Sequence, residues 1–136
     1  MKFLIVEDDF TSRRLLQQYL SEHGTCLIAV SGKEALQAVK ESLENNDPYD
    51  LICLDIMMPE MDGQECLKYI REIEAKRGIR CPASVKVIMI SSLTDTANMV
   101  TAYCTGCEFY LVKPIDRKKL LSVMTDLGVL QPSACG

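Results

Sequence analysis

Five short apolar runs alternate along the chain with five stretches in which apolar residues recur three or four positions apart. The apolar runs occupy residues 3–6, 26–30, 51–54, 85–90 and 109–112. Most are continuously apolar, which is typical of strands that are covered on both faces. The stretches between and after them show the spacing of amphipathic helices. Five strand–helix repeats predict an α/β fold, with a parallel sheet and helices on both of its faces.

Residues that favour helix ends support this parsing. Ser31 and Glu34 have the spacing of a capping box at the start of the second helix. Asp62 is positioned to cap the third helix, and His23-Gly24 to close the first. No linker or shift of composition divides the chain, so we expect one domain over residues 1–136. Its core should span about 2–127, followed by a short tail at 128–136.

Residues suited to binding or catalysis follow four of the five predicted strands, whereas the second is followed by Ser31, which the capping box explains. Glu7 and Asp8 come after the first strand, Asp55 ends the third, Ser91 the fourth and Lys113 the fifth. In an open parallel sheet the carboxyl ends of the strands share one edge, where ligands bind. Carboxylates gathered there repel one another unless they are protonated or bridged by a cation. Oxygen ligands favour a hard ion such as Mg²⁺.

The same residues suit the chemistry of phosphoryl transfer. An ammonium from Lys113 and a hydroxyl from Ser91, together with a metal ion, would stabilise a phosphoryl group during transfer. Asp55 is the natural nucleophile, because carboxylates form aspartyl-phosphate intermediates. The pattern therefore predicts a phosphorylation site at Asp55.

Composition and charge exclude several other classes of protein. Hydrophobic residues make up 48% and the net charge is -4. This charge gives no electrostatic footprint for nucleic acid, so we expect no nucleic-acid binding by this domain. No apolar run reaches the roughly 20 residues of a membrane span. The first residues lack the pattern of a signal peptide, so we expect a cytoplasmic protein without membrane insertion.

Alternative catalytic and metal chemistries lack their residues. His23 is the single histidine, and it stands at a predicted helix end, which disfavours a nucleophile–histidine arrangement. Cys104 and Cys107 form a C-x-x-C pair, but no second pair lies at metal-binding spacing. We therefore expect no metal or redox role for this pair. Cys53 and Cys66 lie within apolar patterns and are predicted core residues.

The stretch from Asp55 to Gly63 reads D-x-x-M-P-x-M-D-G and resembles the signature of the response-regulator receiver family. Glu7-Asp8, Ser91 and Lys113-Pro114 follow the family's order, so the resemblance extends from Lys2 to about Leu127. It implies a flavodoxin-like, doubly wound sheet of five parallel strands in the order 2-1-3-4-5.

The resemblance also implies a role for each residue of the site. Asp55 resembles the phosphoacceptor and Asp8 a direct ligand of Mg²⁺ or Mn²⁺. Glu7 resembles the acid that acts on the metal through water. The backbone carbonyl of Met57 resembles a further metal ligand. No other cofactor is implied.

Further positions resemble the family's switch. Ser91 and Lys113 resemble the residues that contact the phosphoryl group, and Tyr110 resembles the aromatic switch. Lys113-Pro114 resembles the family's cis peptide. Asp9 is an additional acid, which we place outside the metal site as the cap of the first helix.

Two apolar residues flank the site at positions that tune dephosphorylation in the family, Met57 and Leu93. Neither side chain helps to orient an attacking water, so we predict a long-lived phosphorylated state.

The resemblance implies a receiver that is phosphorylated by a histidine kinase or a histidine phosphotransfer protein. Because only residues 131–136 follow the fifth predicted helix and its turn, we expect a stand-alone receiver. Phosphorylation would change the surface of helix 4, strand 5 and helix 5, and so control a partner protein. The protein would catalyse its own phosphorylation and dephosphorylation and no other reaction, as a monomer or a phosphorylation-dependent dimer. The first alternative is a receiver that is part of a longer regulator.

Two further alternatives belong to other classes. An aspartyl-phosphate phosphatase typically has a second acid two residues after its nucleophile, where this chain has Met57. A flavodoxin-like carrier of FMN would need a phosphate-binding loop after strand 1, where this chain has three acids.

Overall fold

The computed structural model describes residues 1–92 and 96–130. Strands and helices alternate along this part of the chain. They are β1 (Lys2–Val6), α1 (Phe10–Leu20), β2 (Thr25–Ala29), α2 (Gly32–Glu44), β3 (Leu51–Asp55), α3 (Gly63–Lys76), β4 (Lys86–Ser91), α4 (Thr96–Thr105), β5 (Phe109–Val112) and α5 (Arg117–Asp126).

The five strands form one parallel sheet in the order β2-β1-β3-β4-β5, as the resemblance implied. β2 extends the sheet on one side of β1, and β3, β4 and β5 extend it on the other side. The direction in which the chain adds strands therefore reverses at β1. In doubly wound sheets this reversal opens a crevice at the carboxyl ends of the strands. β1 and β3 therefore deliver the residues that follow them to the same place.

The sheet separates two cores, because alternate residues of each strand point to opposite faces. Phe3 and Ile5 pack on the face that α1 and α5 cover, together with Leu16 and Leu120. Leu4 and Val6 pack on the other face, with residues of α2, α3 and α4. The central strand β3 is buried along its whole length. This explains why its sequence is apolar up to Asp55.

Acid and hydroxyl caps fix where four helices begin, namely α1, α2, α3 and α5. Asp9 accepts a hydrogen bond from the Ser12 N–H at 2.9 Å, which confirms it as the cap of α1. Asp62 accepts from the N–H of Glu65, also at 2.9 Å. These bonds satisfy N–H groups that have no partner within the helix.

The predicted capping box of α2 is half formed. Ser31 accepts from the Glu34 N–H at 3.2 Å, as expected. The Glu34 carboxylate accepts instead from the N–H of Val30, one residue before the cap. The first turn of α2 is therefore hydrogen-bonded both to its cap, Ser31, and to Val30, which follows β2.

Strand β2 differs from the prediction that the strands are covered on both faces. Leu27 and Ile28 are 38% and 37% exposed, although they point to opposite faces of the sheet. β2 lies at the edge of the sheet, where the helices extend over it incompletely. A continuous apolar run does not distinguish such an edge strand from a central one.

Gly63 lets α3 begin directly against the end of β3. A Cβ atom at this position would collide with the Asp55 carbonyl oxygen and would lie 2.7 Å from the Ile56 Cα. The Gly63 N–H also donates to the Ile56 carbonyl at 2.8 Å. The glycine of the signature therefore fixes α3 to the backbone that carries Asp55.

The described chain ends soon after α5. Val129 is buried and Leu130 packs against the α1–α5 core, so ordered packing continues to residue 130. Residues 131–136 of the predicted tail lie outside the described residues.

Candidate functional site

Three carboxylates meet at the carboxyl edge of the sheet, at the point where the strand order reverses. Glu7 and Asp8 follow β1, and Asp55 is the last residue of β3. One oxygen of each lies within 4.8 Å of the others, and these three form the one such cluster in the described parts of the chain. Glu7 and Asp55 are buried, whereas Asp8 is exposed. The opening of the site is therefore at Asp8.

Lys113 supplies the positive charge at this cluster. Its Nζ lies 3.1 Å from Glu7 Oε2 and 3.6 Å from Asp55 Oδ2. Its backbone N–H donates to the Ser91 carbonyl at 2.8 Å, which continues the pairing of β5 with β4. The Lys113–Pro114 peptide is cis, as predicted. We call Glu7, Asp8, Asp55 and Lys113 the acidic site.

The acidic site carries more negative than positive charge. Burial, and then the neighbouring Glu7 carboxylate, raise the pKa of Asp55 to about 7, despite the opposing charge of Lys113. Burial alone would lower the pKa of Lys113, but its hydrogen bond to Glu7 and the two carboxylate charges raise it. Without a further cation, the site holds a proton more readily than an ordinary carboxylate does.

This donor set fits a hard divalent cation. The three converging side chains offer oxygen atoms only, and one ammonium leaves part of their charge uncompensated. Mg²⁺ and Mn²⁺ prefer such ligands. The acidic site could therefore bind a metal of this class.

The other predicted site residues lie around the acidic site. Ser91 is fully buried at the end of β4, and it pairs in register with Val112. The Met57 N–H donates to Asp55 Oδ1 at 3.3 Å, and its side chain is 57% exposed. The structure thus places the Met57 backbone beside Asp55. Leu93, the second residue predicted to flank the site, lies outside the described residues.

Tyr110, the predicted switch residue, is buried in the core that α4 covers. Its backbone N–H donates to the Tyr103 hydroxyl at 3.1 Å. Tyr103 therefore links α4 to β5. Tyr103 forms an apolar stripe with Met99 and Val100, which predicts its place on the fourth helix, but no sequence pattern predicts this bond between two elements.

Arg13 is a second contact that the sequence analysis missed. The sequence alone predicts that the Arg13-Arg14 pair lies on a solvated helix face. Arg13 is instead half-buried, and its Nη1 donates to the Glu7 carbonyl at 3.3 Å. Arg14 is exposed and fits the original interpretation. Arg13 thus braces the loop that presents Glu7 and Asp8.

A second charged cluster lies toward the amino edge of the sheet. Arg71 on α3 donates through Nη1 to Glu74 Oε1 at 2.7 Å and through Nη2 to both oxygens of Glu108 at 3.1 Å. The carboxylate of Glu74 also accepts from the N–H of Val85, and that of Glu108 from the N–H of Val87. We call Arg71, Glu74 and Glu108 the arginine network.

The cysteines show no arrangement for metal or redox chemistry among the described residues. Cys53 and Cys66 are buried in the core, which confirms their prediction. Cys104 is exposed whereas Cys107 is buried, so the two thiols lie in different environments. Burial raises the pKa of Cys107 to about 12, which keeps its thiol protonated and unreactive.

No helix in the described ranges is both long and apolar enough to span a membrane.

The family follows from comparison with known proteins. Residues 3–125 match the model of the response regulator receiver domain. The chain belongs to the response regulator receiver family. It is therefore a receiver domain of two-component signalling, with the fold that the signature at Asp55 implied.

Individual relatives support this assignment. The probable transcriptional regulator ycf29 of Porphyra purpurea is 34% identical over 125 residues, covering 91% of this chain and 54% of the relative. Transcriptional regulatory protein ResD of Bacillus subtilis is 33% identical over 120 residues, covering 88% of this chain and 45% of the relative. The receiver chain thus spans about half the length of these relatives.

A solved structure shows the same fold with ligands. A chain of the CheX–CheY–BeF3–Mg²⁺ complex from Borrelia burgdorferi superposes with a TM-score of 0.81 and 31% sequence identity. The match covers 96% of this chain and 90% of that one.

Proposed function

We propose that Asp55 of this receiver accepts a phosphoryl group from a phosphohistidine, carried by a histidine kinase or a histidine phosphotransfer protein. A carboxylate oxygen of Asp55 forms a bond to phosphorus while the phosphorus–nitrogen bond of the donor breaks. The bonding electrons return to the imidazole. The observation that carries this proposal is the convergence of Glu7, Asp8 and Lys113 on the buried Asp55 carboxylate.

The acidic site also provides for a metal ion in this reaction. Asp8, Asp55 and the Met57 carbonyl would bind Mg²⁺ or Mn²⁺ directly, and Glu7 through a water. When bound, the ion offsets the negative charge of the carboxylates and of the phosphoryl oxygens. Support comes from the oxygen-only donor set and from the related structure that holds both BeF3 and Mg²⁺.

Lys113 and Ser91 act on the phosphoryl group itself. The ammonium of Lys113, 3.6 Å from Asp55 Oδ2, is close enough to pair with a phosphoryl oxygen added there. Ser91 ends the neighbouring strand and offers its hydroxyl as a donor. We expect the chemistry of the protein to be limited to its own phosphorylation and dephosphorylation.

Phosphorylation then shifts the population of the surface formed by α4, β5 and α5, through Ser91 and Tyr110. Support comes from the exposed apolar side chains of this surface, which suit a protein partner. Val100, Tyr103 and Val112 are 53%, 44% and 38% exposed.

Two organisations fit this mechanism. A stand-alone receiver acts by binding its partner through the α4–β5–α5 surface, as a monomer or a phosphorylation-dependent dimer. A receiver within a longer regulator would pass the same change to an attached domain. The first is supported by the solved CheY complex, whose matched chain is 90% covered, and the second by relatives about twice as long.

The test is phosphorylation of the purified protein by acetyl phosphate with Mg²⁺, followed by intact-mass measurement. We expect the wild type to gain the mass of one phosphoryl group and Asp55→Asn to gain none. Asp9→Asn is the matched control, because Asp9 lies at the same edge but caps α1. Phosphorylation of Asp55→Asn, or an unmodified wild type, would refute the proposal.

A further inference from the structure

A cleft of about 510 Å³ opens at the amino edge of the sheet, on the opposite side of the molecule from the acidic site. The ends of α2 and α3, the segment 79–86 and the turn after α5 surround it. Its volume lies within the range of small-molecule binding sites. Neither phosphoryl transfer nor the α4–β5–α5 surface uses it.

The cleft exposes polar and apolar surface in nearly equal amounts, and buried side chains form much of its apolar part. Val39, Tyr49, Ile52 and Val129 line it and are themselves buried, and the half-buried Val85 forms a further part of the wall. These residues come from four separate parts of the chain. An apolar ligand body would therefore find contacts on several sides, which is the usual basis of affinity in such sites.

The charges that line the cleft differ in whether they are paired. Asp50 accepts from the Lys2 N–H at 2.8 Å, and Glu74 is held by Arg71 and by the Val85 N–H at 2.7 Å each. The Arg77 guanidinium also lines the cleft, but it has no hydrogen-bond or ion-pair partner within residues 1–92 and 96–130. Lys86 lines the cleft too, but its charge acts on Glu108, and Asp50 has a backbone donor but no cation. Among the described residues, Arg77 is therefore the lining cation that is still available to pair with an anion.

A purely structural role accounts for part of this arrangement. Lys76 and Arg77 stand at the carboxyl end of α3, where cations interact favourably with the helix dipole. The helix dipole explains why a cation stands at the end of α3, but it does not explain why that cation lies at the cleft. Arg77 lines the cleft, whereas Lys76 does not.

We propose that this cleft binds a small amphipathic anion. Its apolar body would lie against Val39, Tyr49 and Val85, and a single carboxylate, sulfonate or phosphate group would pair with Arg77. The site is independent of Asp55, so a protein that fails to accept a phosphoryl group could still bind such a ligand.

The experiment compares two probes of equal chain length and opposite charge, octanoate and octylammonium, by NMR titration of the full chain. We expect shifts concentrated in the amides of residues 39–52, 77–86 and 127–129. Octanoate should bind about fivefold more tightly than octylammonium, which is the contribution of one partly exposed ion pair. Equal affinity of both probes, or shifts elsewhere in the protein, would overturn the proposal.

Substitutions then test each part of the site. Arg77→Gln should abolish the preference for octanoate, whereas Arg80→Gln, an exposed cation of the same segment that does not line the cleft, should retain it. Ala83→Trp should block the cleft and weaken both probes. Unchanged thermal unfolding and phosphorylation by acetyl phosphate show that each variant is folded. A preference that persists in Arg77→Gln would contradict the role of Arg77.

Discussion

The acidic site and the arginine network both contain buried carboxylates at the ends of the same sheet. The acidic site lies at the carboxyl edge of the sheet, and the arginine network lies toward its amino edge. In the acidic site one ammonium, which offers three hydrogen-bond donors, faces three carboxylates. In the arginine network one guanidinium faces two carboxylates, and Nε and Nη2 of Arg71 also donate to the Gly106 carbonyl, at 3.1 and 2.7 Å. Backbone N–H groups of Val85 and Val87 add further donors to that network.

The pKa values reflect this difference. Burial raises the pKa of Glu108, but the Val87 N–H and the charge of Arg71 oppose the shift. The pKa of Asp55 reaches about 7, because Glu7 adds to the effect of burial. A buried cluster whose carboxylates are paired and hydrogen-bonded is costly to disrupt by removing one partner. One left with excess charge instead favours a ligand that removes the excess.

The largest expected effect concerns the arginine network. Arg71→Met leaves Glu74 and Glu108 without their cation in a mostly buried setting. Removing one partner of such a pair should lower the free energy of unfolding by about 3–5 kcal/mol, measured by urea denaturation. Phosphorylation at Asp55 should survive at temperatures where the variant is folded.

Arg80→Met is the control for this change. Arg80 is exposed and has no ion pair in the described ranges, so its loss should change stability by less than about 0.5 kcal/mol. If Arg71→Met were equally mild, the arginine network would be a surface feature and the contrast between the two clusters would fail.

The second effect is a pH dependence of the metal-free protein. The pKa of Asp55 is raised from 3.8 to about 7 by folding, so the folded state holds a proton that the unfolded chain has released. The free energy of unfolding should therefore fall as the pH rises from about 3.8 to about 7. In Asp55→Asn this fall should be absent, which makes the variant more stable than the wild type by about 3 kcal/mol at pH 7.5.

Urea denaturation in EDTA at pH 4.5 and 7.5 measures this difference. The two proteins should be nearly equal at the lower pH, where Asp55 is protonated. A wild type that is the more stable of the two at pH 7.5 would show that the charge at the acidic site is already balanced.

The smallest effect is stabilisation by Mg²⁺. An ion that binds the folded state should add about 1.4 kcal/mol at ten times its dissociation constant. Asp8→Asn should weaken this gain, whereas Asp9→Asn should keep it, as followed by thermal unfolding at pH 7.5. A gain that is the same in both variants would mean that Mg²⁺ binds elsewhere.

Much of the fold was predictable because the strands and helices carry periodic patterns. Buried strands such as β3 are continuously apolar, and the caps at Asp9, Ser31 and Asp62 mark helix starts. The strand order, by contrast, came from the family resemblance. The exposure of Leu27 and Ile28 in β2 was missed, because an apolar run does not reveal which strand is at the edge.

The convergence of the acidic site was predictable for a topological reason. Parallel strands place their carboxyl ends together, so Asp8, Asp55 and Lys113 could be brought to one edge without knowledge of side-chain contacts. No topological rule of this kind predicts the arginine network. Arg71 meets Glu108 because α3 packs against α4, and Glu108 lies in the turn between α4 and β5. Neither residue follows the carboxyl end of a strand.

The contact of Gly63 with the backbone of Asp55 offers a fixed reference point for measuring motion. Because α3 rests directly on the strand that carries the phosphoacceptor, it would provide a stationary frame for the proposed change of the α4–β5–α5 surface. A spin label on exposed Lys68 of α3, paired with one on Val100 of α4, would therefore read the displacement of α4 alone as a change in a single distance.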